Sequence, residues 1–138
     1  MLMVIDIGNT RTKWAQVTSD GALTDYGMTP NFTLAQSTLQ HRLLSADKVI
    51  VANVAGDAIA EVLSGLVPSE TSLHFVSASV EACRLVNQYE QSEALGVDRW
   101  ASAIAAWHKY QQPTVTCFIN IRTAFAPTDR DALQKPVM

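Results

Sequence analysis

Three apolar runs at the start of the chain are separated by turns rather than by helices, and this order restricts the fold more than any other feature. Leu2 to Ile7 is rich in branched apolar residues and closes on Gly8-Asn9-Thr10, so it reads as a buried strand ending in a turn. Thr12 to Val17 can form a second strand. Asp20-Gly21 is a strong hairpin signal, and Ala22 to Met28 would be the third strand. The pattern then changes. Leu34, Leu39 and Leu43 predict a helix over 33–44, and the run DKVIVANV over 47–54 predicts a buried strand. A helix over 57–66 carries Ile59, Leu63 and Leu66 on one side, and a short strand follows over 72–76. The clearest helix spans 95–110, with Val97, Trp100, Ala101, Ile104 and Trp107 as its apolar face and Pro113 as its stop. Thr114 to Ile121 reads as one more buried strand. Hairpin-joined strands followed by alternating helices and strands argue for an α/β or α+β domain whose sheet is partly antiparallel and partly parallel.

Composition narrows the function classes. A chain of 138 residues suffices for one ordinary domain with its own core. Its 48% hydrophobic and 17% charged residues fit a soluble globular protein rather than a disordered one. The formal net charge of −3 and the scattered basic residues offer no footprint for nucleic acid and no pull toward an anionic membrane. The apolar N-terminus, Met1 to Ile5, is too short for a signal peptide or a membrane span, so a cytoplasmic location is expected. Cys83 and Cys117 do not make a disulfide framework, and each is expected to be a small buried residue. His41, His74 and His108 lack metal-ligand spacing with each other or with the cysteines. Trp14, Trp100 and Trp107 are most simply core, and no nucleophile elbow is present. Residues 125–138 (FAPTDRDALQKPVM) have little periodicity and read as a loose tail.

Three segments hold residues suited to chemistry. The first is Asp6-Ile7-Gly8-Asn9-Thr10-Arg11-Thr12-Lys13, an acidic residue at a strand end followed by a glycine turn and a cation. Gly8 lets a ligand come close to the backbone. Turn N–H groups and the Thr10 hydroxyl can cradle phosphate oxygens, with Lys13 as a point charge. Asp6 can hold Mg²⁺ directly or through water. The bland alternative is a plain hairpin turn in which Gly8 and Asn9 satisfy φ > 0. The segment is not a Walker A motif. The second is Leu95-Gly96-Val97-Asp98-Arg99-Trp100 at the start of the clear helix. Asp98 can accept a proton from a substrate hydroxyl, and Arg99 offers a planar fork to a carboxylate or phosphate. Equally, an aspartate in a first helical turn suits the macrodipole and a neighbouring arginine is solvated. The third is Tyr89, whose ring and hydroxyl suit a small polar ligand, or which is simply half-buried core.

Together the first two segments are far more specific than either alone. Asp6-Ile7-Gly8-Asn9-Thr10-x-x-Lys13 resembles the first phosphate motif of the type III pantothenate kinases, the family that includes the Bvg accessory factors, and Gly96-Val97-Asp98-Arg99 resembles that family's Gly-x-Asp-Arg motif. Tyr89 sits where family members have the tyrosine that lines the pantothenate site. The resemblance covers roughly residues 1–124, most of this chain but only about half of a typical member. It implies the ribonuclease H-like fold of the actin, Hsp70 and sugar-kinase superfamily, a mixed sheet with flanking helices. Residues 1–112 would form the first lobe, 113–124 the start of a second, and 125–138 a divergent tail. It further implies ATP-dependent phosphorylation of pantothenate on the way to coenzyme A, with Mg²⁺, a monovalent cation (K⁺ or NH₄⁺) and a homodimer. Carried over, Asp6, Gly8, Asn9, Thr10 and Lys13 would contact ATP and Mg²⁺. Asp98 would be the general base, and Tyr89, Gly96, Val97, Asp98 and Arg99 would bind pantothenate.

The resemblance breaks near the end. The family's second phosphate motif, Asp-x-Gly-Thr-Ala, is matched here by Asn120-Ile121-Arg122-Thr123-Ala124. Thr123 and Ala124 agree with it. Asn120 takes the place of the aspartate linked to the monovalent cation, and Arg122 replaces a glycine that serves φ > 0 or close phosphate approach. The adenosine motif, Gly-Gly-x-Ile-x-Pro-Gly, is absent. The expectation is therefore a kinase impaired by truncation. The alternatives are a nucleotide-binding or transcription-accessory protein without turnover, and a remnant that folds poorly and exposes apolar strands.

Overall fold

The structure, a computed structural model, describes residues 1–115. Seven strands and three α-helices follow one another along these residues: β1 (Leu2–Ile7), β2 (Arg11–Val17), β3 (Leu23–Pro30), α1 (Leu39–Leu43), β4 (Lys48–Asn53), α2 (Asp57–Leu66), β5 (Ser72–Phe75), β6 (Glu81–Ala82), β7 (Leu85–Val86) and α3 (Val97–Tyr110). Five strands make one sheet in the order β3-β2-β1-β4-β5, and β6 and β7 pair separately. β1, β2 and β3 are antiparallel, whereas β4 and β5 run parallel to β1. The mixed α/β sheet expected from the hairpin-then-alternation order is what forms.

Alternation along β1 divides the sheet into two faces. Met3, Ile5 and Ile7 point one way and join Trp14, Val49, Val51, Leu34, Leu39, Leu43 and Leu63 in a single core. α1, α2 and the 3₁₀ turn Asn31–Gln36 supply its helical side. The other face carries Val4, Asp6, Lys13, Ala15, Ile50 and Ala52, and α3 packs beside it against β4. Among the described residues this second face is only partly covered. An open groove of about 370 Å³ runs along it, lined by Val4, Asp6, Lys13, Ile50 and Ala52 from the sheet and by Ala101 from α3.

Several expectations need correction. The helix over 33–44 is broken into the 3₁₀ turn and the five-residue α1, with Ser37 extended between them. The Ser37 hydroxyl donates to the Leu34 carbonyl at 2.7 Å, so a local side-chain bond competes with the helical ladder. The third strand starts and ends later than expected, and a bulge opposite Ala15 puts Asp25 at φ 51°, with its carboxylate 2.6 Å from Arg42 Nη1. The β6–β7 hairpin was not foreseen, because its turn residues Cys83 and Arg84 take positive φ without a glycine or asparagine to signal it. Cys83 is exposed rather than buried. On α3 only Val97 and Trp100 are buried. Ala101 is exposed, and Ile104 and Trp107 are half-buried. α3 ends on left-handed Gln111, two residues before Pro113. Thr114 and Val115 are not in a strand. The rest of the strand expected over 114–121, Cys117 and the tail over 125–138 lie outside the described residues.

Candidate functional site

The phosphate-type turn lies where β1 ends and β2 begins, at the same end of the sheet as the carboxyl ends of the parallel strands β4 and β5. In open α/β sheets that end is where ligands bind. Strand register sets Asp6 directly opposite Lys13. Lys13 Nζ donates to Asp6 Oδ2 at 3.3 Å, and both side chains remain substantially exposed. An exposed pair of this kind contributes about 0–1 kcal/mol to folding, so its charges are held ready at little cost.

The turn itself is closed by the Gly8 N–H donating to the Arg11 carbonyl at 3.0 Å. Asn9 and Thr10 are exposed, and among the described residues their backbone N–H groups have no protein acceptor. Neither Gly8 nor Asn9 has positive φ, which removes the reading of this segment as a turn that needs those residues for their backbone freedom. A Cβ added at Gly8 would meet only the Arg11 carbonyl oxygen, at an ordinary 3.5 Å. The chain's own packing does not demand glycine there. What the missing side chain provides is an uncovered backbone surface.

The second segment opens α3. Gly96 is the residue before the helix, and its carbonyl accepts from the Trp100 N–H at 3.0 Å. Asp98 Oδ1 folds back over the helix start and accepts from the Arg99 N–H at 2.8 Å. A Cβ at position 96 would stand 2.7 Å from that same oxygen, so glycine makes room for the carboxylate. Asp98 Oδ2 has no protein partner among the described residues. Val97 is buried and anchors the turn, and Arg99 is exposed. Asp98 and Ala101 are three apart on one helix and share a side of it. Ala101, one turn after Asp98, lines the groove that Asp6 and Lys13 also line, whereas Asp98 itself is not among the lining residues.

Tyr89 is less closely tied. The residue is 51% exposed rather than core, on the loop between β7 and α3. The buried Asn87 holds that loop, accepting from the Tyr89 N–H at 3.1 Å and donating to the Ser92 carbonyl at 3.1 Å. No hydrogen bond or ion pair among the described residues joins Tyr89 to Asp98 or to the phosphate-type turn. Asn120 and Thr123 lie outside the described residues. So does Arg122.

Among the described residues no group of three or more His, Cys, Asp or Glu could hold a metal. Mg²⁺ carried mainly by phosphates needs one or two carboxylates and water rather than a protein cage, and the carboxylate beside the turn is Asp6. No helix of the described residues is long and apolar enough to cross a membrane.

One residue that shapes the turn was not foreseen from sequence. Asn31, just after β3, donates from Nδ2 to the Gly8 carbonyl at 2.8 Å and accepts at Oδ1 from the Thr12 hydroxyl at 2.9 Å. Its backbone N–H also reaches the Thr10 carbonyl at 3.0 Å. The one signal for it was an asparagine after Pro30, a pattern of local side-chain-to-backbone bonding that does not tell which distant turn it serves.

Comparison with known proteins bears on the same residues. The family model described as type III pantothenate kinase matches residues 2–128. A type III pantothenate kinase of Nitrosomonas eutropha is 36% identical over 128 residues, covering 89% of this chain and 48% of that protein. Another, of Methylobacillus flagellatus, is 36% identical over 127 residues, covering 89% of this chain and 47% of the relative. A third, of Nitrosococcus oceani, is 29% identical over 136 residues, covering 90% and 50%. The chain thus spans about half the length of the curated relatives it matches.

Proposed function

The chain belongs to the type III pantothenate kinase family, and on that premise we propose that it carries the phosphate and substrate parts of a kinase site that phosphorylates the hydroxyl of pantothenate from ATP, toward coenzyme A. The observation that carries this reading is the shared groove. Asp6 and Lys13 from the sheet line it together with Ala101 of α3, which stands three residues after Asp98 on the same helix. The sheet order β3-β2-β1-β4-β5, with only β1, β4 and β5 parallel, supports a ribonuclease H-like lobe.

Each residue then has a role that its geometry allows. The Asn9 and Thr10 amides, the Thr10 hydroxyl and the bare backbone at Gly8 receive phosphate oxygens. Lys13, now on Asp6, would pair with a phosphate of bound nucleotide, and the Asp6 carboxylate would be the protein group that holds Mg²⁺. Mg²⁺, when bound, neutralises charge on the phosphoryl group in flight. Asp98 keeps one oxygen on the Arg99 amide and uses the other to accept the proton of the pantothenate hydroxyl as its oxygen attacks the γ-phosphorus and the bond from that phosphorus to the bridging oxygen breaks, releasing ADP. The Arg99 guanidinium takes the pantothenate carboxylate, and Tyr89 closes on the substrate from its loop. Gly96 and Val97 set the helix start against which it lies. K⁺ or NH₄⁺ near Asn120, nucleotide contact from Thr123, a homodimer and a cytoplasmic location are the further parts of this reading, and family resemblance supports them.

Titration calorimetry of the purified chain tests it, with Mg·ATP and with pantothenate separately, beside coupled ADP release in the presence of K⁺. Both ligands are expected to bind. Lys13→Ala should weaken the nucleotide alone and Arg99→Ala pantothenate alone. A chain that melts cooperatively and binds neither would overturn the reading. Nucleotide binding that pantothenate never follows would favour a nucleotide-binding accessory protein instead.

A further inference from the structure

We propose that Asn31 is the positioning residue of the phosphate turn, fixing the direction of the Asn9 amide. The inference rests on the reading of residues 8–13 as a phosphate cradle. Asn31 reaches this turn through its side-chain amide to the Gly8 carbonyl and its backbone N–H to the Thr10 carbonyl. A trans peptide holds its C=O and N–H antiparallel, and no peptide bond here is cis. With the Gly8 carbonyl drawn toward Asn31, the N–H of the same peptide unit, that of Asn9, is turned the opposite way. The Asn9 donor is therefore aimed by a residue on another strand end.

The side chain of Asn31 is itself fixed. Its oxygen accepts from the hydroxyl of Thr12, which is fully buried, so the orientation of the amide is set by the hydrogen bond on its other side. Thr12 lies on the core face of β2, opposite Ile7. The connection thus runs from the core, through one hydroxyl and one amide, to the carbonyl that orients the exposed donor. Removing the amide leaves the strands and their ladder intact while freeing the Gly8–Asn9 peptide to rotate. Electrostatic donors act through their direction, so a freed peptide loses binding without losing the fold.

The isosteric Asn31→Asp variant keeps the oxygen that Thr12 meets and loses the donor to Gly8, while Asn31→Ala is the second variant and removes both contacts. Three quantities are read on the full chain: amide hydrogen exchange at Gly8 and at Ile5, the melting temperature, and the affinity for Mg·ATP without pantothenate. In both variants the proposal expects exchange at Gly8 to rise about tenfold and nucleotide affinity to fall about tenfold, the size of one lost charge-assisted hydrogen bond. In Asn31→Asp, which keeps the acceptor of the buried Thr12 hydroxyl, Ile5 protection should be unchanged, which a general loss of stability would not allow. Binding by Asn31→Asp and Asn31→Ala equal to the unmodified chain overturns the proposal. If the unmodified chain itself fails to bind nucleotide, the phosphate reading falls, and exchange alone then judges Asn31. Unchanged Gly8 protection overturns it, and a loss confined to the turn upholds it.

Discussion

The two faces of the central sheet are made from the same strands, yet they are finished differently. On one, Met3, Ile5, Ile7, Val49 and Val51 are sealed beneath α1, α2 and the 3₁₀ turn. On the other, Val4, Ile50 and Ala52 line an open groove beside an exposed ion pair. The contrast teaches that in this fold stability and chemistry are separated by residue parity rather than by distance along the chain. Neighbours in sequence, such as Ile5 and Asp6, belong to different tasks.

Substitutions can test how complete that separation is. The largest effect belongs to the sealed face: Leu63→Ala, at a fully buried position, should cost about 2–5 kcal/mol of stability in a denaturant melt. Next comes a pair of neighbours. Val51→Ala should cost about 2 kcal/mol, and Ile50→Ala about 1 kcal/mol or less although it deletes more carbon, because its site is already half open to water. If Ile50→Ala proved the costlier, the groove would be filled in solution and the contrast would collapse. Lys13→Ala should shift stability by less than about 1 kcal/mol yet weaken Mg·ATP about tenfold or more in titration. Gly8→Ala should be smaller still in a melt, about 0.5 kcal/mol or below, since its Cβ meets no crowded atom. A measurable loss of nucleotide affinity at that position would mark the turn as a surface that a ligand touches.

The smallest effect lies at the β2–β3 hairpin, which belongs to neither face. There the Thr18 hydroxyl, with backbone amides of the turn, holds the fully exposed Asp20 carboxyl below its ordinary value of 3.8. A depressed carboxyl stabilises the fold above its unfolded pKa and loses that contribution as pH falls through the folded one. Asp20→Asn should therefore melt slightly earlier than the unmodified chain at neutral pH, with the gap closing on acidification below the ordinary carboxylate range. Mg·ATP affinity should not change.

Much of the fold was legible because strands announce themselves. The branched run of β1 matched its observed limits, and α2 put Leu63 in the core with Ile59 and Leu66 beside it, as the spacing required. The interrupted helix at 33–44 was not legible, since its break depends on the Ser37 hydroxyl choosing a carbonyl three residues back. Nor was the burial of α3. Its apolar stripe continues through Ile104 and Trp107, but periodicity cannot tell how much of a stripe finds a partner. Local sequence nominated candidate residues where chemistry and spacing coincide, at Asp6 to Lys13 and at Gly96 to Arg99. Asn31 escaped because its meaning lies in two contacts to residues more than a strand away.

The alternation in β1 also acts as a phase lock. Because side chains change sides at every residue, one inserted or deleted residue between Met3 and Gly8 would rotate Ile5 and Ile7 toward water and Asp6 into the oil. The distance from core to carboxylate along this strand can change only in steps of two.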